Sequence, residues 1–239
     1  MPTSISSKVM DRVFQSGFDP SHALSRMSIF PLEPAGGVVG KPPTCFVKGT
    51  KVLMADGSSK AIETLKAATP ASPEEGDVVL SVDGVQTYVV GMLAGPRPEP
   101  CVKIRAESVS PQMPDKDFEV IVSMAHTVSV DLSRLVHAWL LREGDYVSTT
   151  HGEAVIKEIE LVDYKEDVWN MYLASSYFIK RVLPSLTPER LYFHLLNSSL
   201  GLTPKQHLVF GNGILSGALY VQIHAAELAR LGYSLKMFV

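Results

Sequence analysis

The chain has 239 residues, enough for one large domain or for one domain with appendages. A composition of 46% hydrophobic and 20% charged residues describes a soluble globular protein with a real core. A net charge of −3 gives no basic patch for nucleic acid, two cysteines make no disulfide scaffold, and no apolar run reaches the ~18 residues of a membrane span.

Met1 to Lys8 has no apolar stretch, so no secretory signal is expected. Residues 6–16 predict a short amphipathic helix with Val9, Met10, Val13 and Phe14 on one face and Gly17 as its stop. Residues 18–44 hold five prolines and three glycines and read as an extended linker, lying along a surface or hanging free. From Cys45 the texture changes to short β segments, expected at 51–54, 58–65, 78–83, 85–93, 101–107, 118–124, 126–132, 145–149, 154–163, 167–173 and 207–216. Turns at Asp56-Gly57, Asp83-Gly84 and His151-Gly152 punctuate an all-β domain.

Two insertions interrupt it. Residues 67–75 are a polar loop. Residues 184–206 read as helical, with Thr187 as cap, Pro188 at the first position, Leu191, Leu195 and Leu196 as the apolar stripe and Gly201 as the end. A last helix is expected over about 218–231, packed on the β body through Leu219, Ile223, Leu228 and Leu231. Gly76-Asp77-Val78-Val79 and Gly144-Asp145-Tyr146-Val147 share Gly-Asp-x-Val and suggest a weak internal duplication.

One stretch carries chemistry. Cys45 follows the linker's last residues, Lys41-Pro42-Pro43-Thr44, and opens Cys45-Phe46-Val47-Lys48-Gly49-Thr50-Lys51-Val52, which runs into the Asp56-Gly57 hairpin. A thiol at the first position of a folded domain can attack the carbonyl before it, here that of Thr44, with the advantage of proximity. Such an acyl shift also needs a proton donor for the departing amine and hydrogen-bond donors for the oxyanion. Histidine suits the proton transfer, because it titrates near neutrality. Among His22, His126, His137, His151, His194, His207 and His224, His126 stands out. Ser123-Met124-Ala125-His126 forms a bend between two strands, which sets hydroxyl and imidazole side by side.

The Cys45 string resembles the N-terminal motif of the Hint superfamily, the hedgehog and intein autoprocessing modules, over roughly residues 45–217. Ser123-x-x-His126 is similar to the family's Thr-x-x-His, with Ser lacking the methyl that fixes the rotamer. Asp167 to Leu173 and His207-Leu208-Val209-Phe210-Gly211-Asn212-Gly213-Ile214-Leu215 resemble its C-terminal blocks, here split by the helical insertion. The resemblance implies an all-β, horseshoe-like fold with a pseudo-two-fold repeat, a helical insertion and N- and C-terminal helices. It implies Cys45 as nucleophile, His126 as the acid at the Cys45 amide nitrogen, Ser123 as the group orienting the scissile Thr44–Cys45 peptide and His207 as an accessory histidine.

Splicing inteins end in His-Asn followed by Cys, Ser or Thr. This chain has Ser216-Gly217-Ala218 there, so cleavage without splicing is expected, and Asn212 is assigned to a turn. On this reading residues 1–44 are the tail of an upstream module, 45–217 the processing domain and 218–239 a terminal helix. The substrate is the chain's own upstream polypeptide, the acyl acceptor is water or a small nucleophile, and neither cofactor nor metal is called for. Cys45, His126 and His207 lack zinc-like spacing. Cys101 is read as core. The alternatives are a degenerate Hint domain serving as a folded spacer or interaction module, and a simple secreted β domain that binds a small ligand, which requires the Cys45 and His126 motifs to be coincidence. Family-level expectation sets such modules in bacterial toxins; the sequence names no compartment.

Overall fold

The structure is a computed structural model that describes residues 28–30, 45–96, 100–111, 116–130, 134–224 and 234–236. The predicted helix at 6–16, most of the linker and Thr44 lie outside the described residues. Among the described residues sixteen strands join in one hydrogen-bonded network, with few helices. In chain order they are β1 (Ser28–Phe30), β2 (Phe46–Val47), β3 (Lys51–Leu53), β4 (Ser59–Ala61), β5 (Val78–Leu80), β6 (Gln86–Gly95), β7 (Cys101–Ser108) and β8 (Asp117–Ser123). There follow β9 (Thr127–Val130), β10 (Arg134–His137), β11 (Tyr146–Thr149), β12 (Gly152–Val162), β13 (Val168–Ala174), β14 (Leu208–Gly211), β15 (Ile214–Gly217) and β16 (Ser234–Lys236). The pairings are antiparallel except for β10 with β16.

The internal duplication reaches well beyond Gly-Asp-x-Val. Thr50 donates its N–H to the Val47 carbonyl, and His126 donates to that of Ser123. Lys51 pairs with Ala61 across β3 and β4; Thr127 pairs with His137 across β9 and β10. Ile62 N–H reaches Thr50 O, just as Ala138 N–H reaches His126 O. A 3₁₀ turn then follows in each half, at Ile62–Thr64 and Ala138–Leu140. Asp77 and Asp145 each accept through the backbone carbonyl, from Val89 and Ile156. The residue offset stays constant from Val47/Ser123 through the 3₁₀ turns, then shortens, because only the first half carries the polar loop at 67–75. Cys45 and Ser123 thus stand at or next to matching corners of two copies of one motif.

Several boundaries differ from expectation. The single strand foreseen at 207–216 is the hairpin β14–β15, turned at Asn212 and Gly213, both with positive φ (49° and 83°). That left-handed pair is what a two-residue hairpin requires. Only Ser59–Ala61 of segment 58–65 is strand, because Ile62 enters the 3₁₀ turn. Ser28–Phe30, inside the segment read as linker, pairs with Met92 to Ala94 of β6. Its three residues have no alternating pattern that would mark a strand.

A wide helical turn, Phe178–Val182, precedes the expected helical insertion, which contains α1 (Pro188–Asn197). Thr187 Oγ1 accepts the Arg190 N–H and Pro188 sits at the first position, as the cap pattern requires. Leu191 and Leu195 are buried, packing in the cluster that contains Tyr172, Leu183 and Leu219. The helix ends at Asn197 rather than at Gly201; Ser198 caps it through the His194 carbonyl. Gly201 instead makes a left-handed turn with Leu200. Where a helix is expected over about 218–231, α2 spans Leu219–Ile223 with His224 as its C-cap, and residues 225–231 lie outside the described residues. Among the described residues no helix is long and apolar enough to cross a membrane.

Candidate active site

Cys45 is fully buried, one residue before β2, in an apolar cluster with Val47, Cys101 and Val168. Cys45 and Cys101 form no disulfide. β2 is only two residues long, but it is clamped between β8 and β13: Phe46 pairs with Val122 and with Trp169. That double pairing fixes the backbone just after Cys45.

Ser123 does the rest. Its backbone N–H donates to the Cys45 carbonyl (2.8 Å), and its Oγ accepts the Cys45 N–H (2.7 Å). One residue therefore holds the Cys45 backbone at both its N–H and its carbonyl, both out of water. A buried hydrogen bond of this kind is costly to break, since the orphaned N–H would keep its desolvation penalty. The family resemblance implies His126 as the acid at the Cys45 nitrogen and Ser123 as the group orienting the scissile peptide; the Ser123 hydroxyl accepts that N–H.

His126 is fully buried and lies just beyond Ser123, its N–H on the Ser123 carbonyl. Its ring meets the Phe46 ring edge-on with centroids 4.3 Å apart. The residues on either side of it in space, Phe46 and Ser123, are the two that flank or grip Cys45. Gly211 makes room for this arrangement, because a Cβ at that position would sit 2.5 Å from Phe46 Cε1. Asn212 locks the same corner: Oδ1 accepts the Lys51 N–H (2.7 Å) and Nδ2 donates to Glu119 O (2.9 Å). It is a turn residue whose amide is hydrogen-bonded at both its oxygen and its nitrogen.

β15 brings the end of the domain to the same place. Ser216 pairs with Val128 on β9, and a Cβ on Gly217 would collide with the Thr127 hydroxyl. Gln222, on α2, spans the two regions: its Nε2 lies 2.8 Å from the Gly217 carbonyl oxygen and 3.1 Å from His126 Nδ1. Neither Thr127 nor Gln222 is visible from sequence. Each reads as an ordinary polar position in a strand or helix, and only the crossing of β9, β15 and α2 gives it a place.

His207 lies elsewhere. Its Nε2 is 3.1 Å from the Ser199 carbonyl, its ring stacks on Tyr220 with centroids 4.1 Å apart, and its own carbonyl takes the Ala218 N–H. Burial pushes its pKa down to about 3, against the Ser199 contact, which raises it; nearby His224 lowers it further. His207 is therefore neutral at physiological pH and touches the chain around Ala218 rather than Cys45. His137, on β10, is also shifted below the ordinary histidine value, by burial.

No family profile matches the chain. The gp41-1 intein is 17% identical in sequence, matching 73% of this chain and 98% of its own with a TM-score of 0.47. A bacterial intein-like domain from Clostridium thermocellum is 18% identical over 72% of this chain and 97% of that one (TM-score 0.47). The PabCDC21-1 intein is 13% identical over 73% and 98% (TM-score 0.48). The likeness is one of a mostly antiparallel sheet with few helices. A stretch of 51 residues is also 45% identical to the catalytic subunit of the V-type proton ATPase of Candida tropicalis, spanning 21% of this chain and only 4% of that protein.

Proposed function

We propose that this chain is a self-processing domain that cuts its own backbone at Thr44–Cys45 and does not splice. The observation that carries the reading is the double hydrogen bond of Ser123 to the Cys45 backbone, with the His126 ring one step away on Phe46. In the reaction Cys45 Sγ attacks the Thr44 carbonyl carbon, a thioester forms and the C–N bond to Cys45 breaks. The thiol proton ends on the departing Cys45 amine, with His126 as its carrier. Ser123 holds that nitrogen in place through its Oγ. The thioester lies uphill of the amide, so water or an added nucleophile must take the acyl group for the reaction to run forward.

The C-terminal end supports cleavage without splicing. Release there needs an Asn whose side-chain amide attacks its own carbonyl. Gly217 has no side chain, Ala218 has no nucleophile, and the Asn212 amide is held by Lys51 and Glu119. Incubation with dithiothreitol or hydroxylamine is expected to release a fragment ending at Thr44, and Cys45→Ala to abolish that release while the chain stays folded. Cleavage at the same bond by the Ala variant overturns the mechanism.

A further inference from the structure

We infer that Gln222 is a positioning residue that fixes His126 as a neutral imidazole with its hydrogen on Nε2. The inference rests on the proposed role of His126 but is read from different atoms. A carbonyl oxygen only accepts hydrogen bonds, so the Gly217 carbonyl, 2.8 Å away, sets which end of the Gln222 amide faces it: the NH₂. The alternative rotamer would bring two acceptors together there. The same Nε2 lies 3.1 Å from His126 Nδ1 and has only hydrogens to offer. Nδ1 must then present its lone pair, and the imidazole hydrogen goes to Nε2.

The consequence reaches the chemistry. Carrying a proton from thiol to amine takes His126 through its doubly protonated form, and the position for the second hydrogen is Nδ1. Gln222 occupies that position with a donor. Gly217 and Gln222 together therefore hold His126 in the form that forgoes the second proton, and they do so from β15 and α2, at the far end of the chain from Cys45. Gln222 restrains the step; the restraint lifts when its amide moves away from Nδ1 or is replaced by an acceptor.

The test is nitrogen-15 NMR of histidine-labelled full chain at neutral pH, alongside the rate of thiol-induced release of the Thr44 fragment. Wild type is expected to show His126 as the neutral Nε2–H tautomer. Gln222→Met, of similar length with no donor, is expected to lose that preference. Gln222→Glu, whose carboxylate turns away from the Gly217 carbonyl and offers an acceptor to an Nδ1 hydrogen, is expected to show His126 with both nitrogens protonated and to release the fragment several-fold faster than wild type. The His137 and His207 resonances report that each variant is folded. A wild-type His126 protonated on Nδ1, or the same His126 pattern in all three folded proteins, overturns the inference, as does slower release by Gln222→Glu. If wild type shows the Nε2–H tautomer and no variant releases a fragment, the tautomer assignment stands and the self-cleavage reading falls.

Discussion

At the scale of single residues, the candidate site is a short circuit of hydrogen bonds rather than a cluster of reactive groups. Ser123 grips the Cys45 backbone, His126 hangs from Ser123, and Phe46 backs the imidazole. Loss of a general acid costs about 10²–10⁴ in rate. His126→Ala is expected to slow thiol-induced release by that order, measured by fragment appearance on a gel, while His194→Ala, whose ring lies against Phe178 and Phe193, leaves it unchanged. Equal slowing in both variants contradicts the assignment. Gly211 makes a second prediction at this scale. A methyl there meets the Phe46 ring, and overpacking of a tight core costs about 1–3 kcal/mol. Gly211→Ala is expected to lower the denaturation midpoint and to slow release as well, because the ring it displaces is the one that supports His126. The Cys45 string and the Ser123–His126 bend were legible in the sequence because both are local: four residues of bend place hydroxyl and imidazole together. The exact contacts of Ser123 were not legible: that its N–H and its hydroxyl both take the Cys45 backbone depends on the register of β2 against β8, where Phe46 pairs with Val122.

At the scale of elements, strands with alternating burial were readable. β7, β8 and β12 follow their expected ranges to within two residues, since each buries every second side chain over most of its length. β2 and β10 were not readable, because they are too short to show a period and are held by their neighbours, whereas β3, β5, β9 and β11, equally short, fall inside expected segments. The hairpin β14–β15 reads as one strand by its apolar content, although Asn212-Gly213 is a strong turn signal. Asn212 was legible as a turn residue; that its turn divides the strand in two was not. The element after α1 also carries a titratable group with a clear expectation. His207 is buried neutral, its pKa pushed down to about 3, whereas in the unfolded chain it takes its proton near the ordinary ~6.5. Below about pH 6.5 the unfolded state therefore binds the proton that the folded state refuses. Stability therefore decreases as the pH is lowered through that window, by up to about 1.4 kcal/mol per pH unit, until about pH 3. His207→Phe, which can keep the stack on Tyr220, is expected to flatten this acid limb in urea denaturation series run between pH 7 and pH 4. An unchanged slope contradicts the burial of a neutral His207.

At the scale of the whole molecule, the duplicated motif explains why the site lies where it does. The corner beginning at Val47 in the first half and that beginning at Ser123 in the second use the same backbone hydrogen bonds, and they meet because β2 pairs with β8. β15 then lays the end of the domain along β9, so Gly217 and α2 reach the residues that surround Cys45. Of this, the sequence showed only the Gly-Asp-x-Val echo, since the duplication survives in hydrogen-bond register and hardly at all in side chains. The same architecture carries the central claim, that one bond is cut and the end of the chain stays attached. Intact-mass measurement of the full chain after incubation with dithiothreitol tests it most directly. Two species are expected, one ending at Thr44 and the other running from Cys45 to Val239. A ligated product joining residues 1–44 to residues beyond 217, a free peptide beginning at Ala218, or a chain that stays whole under all thiol conditions contradicts it.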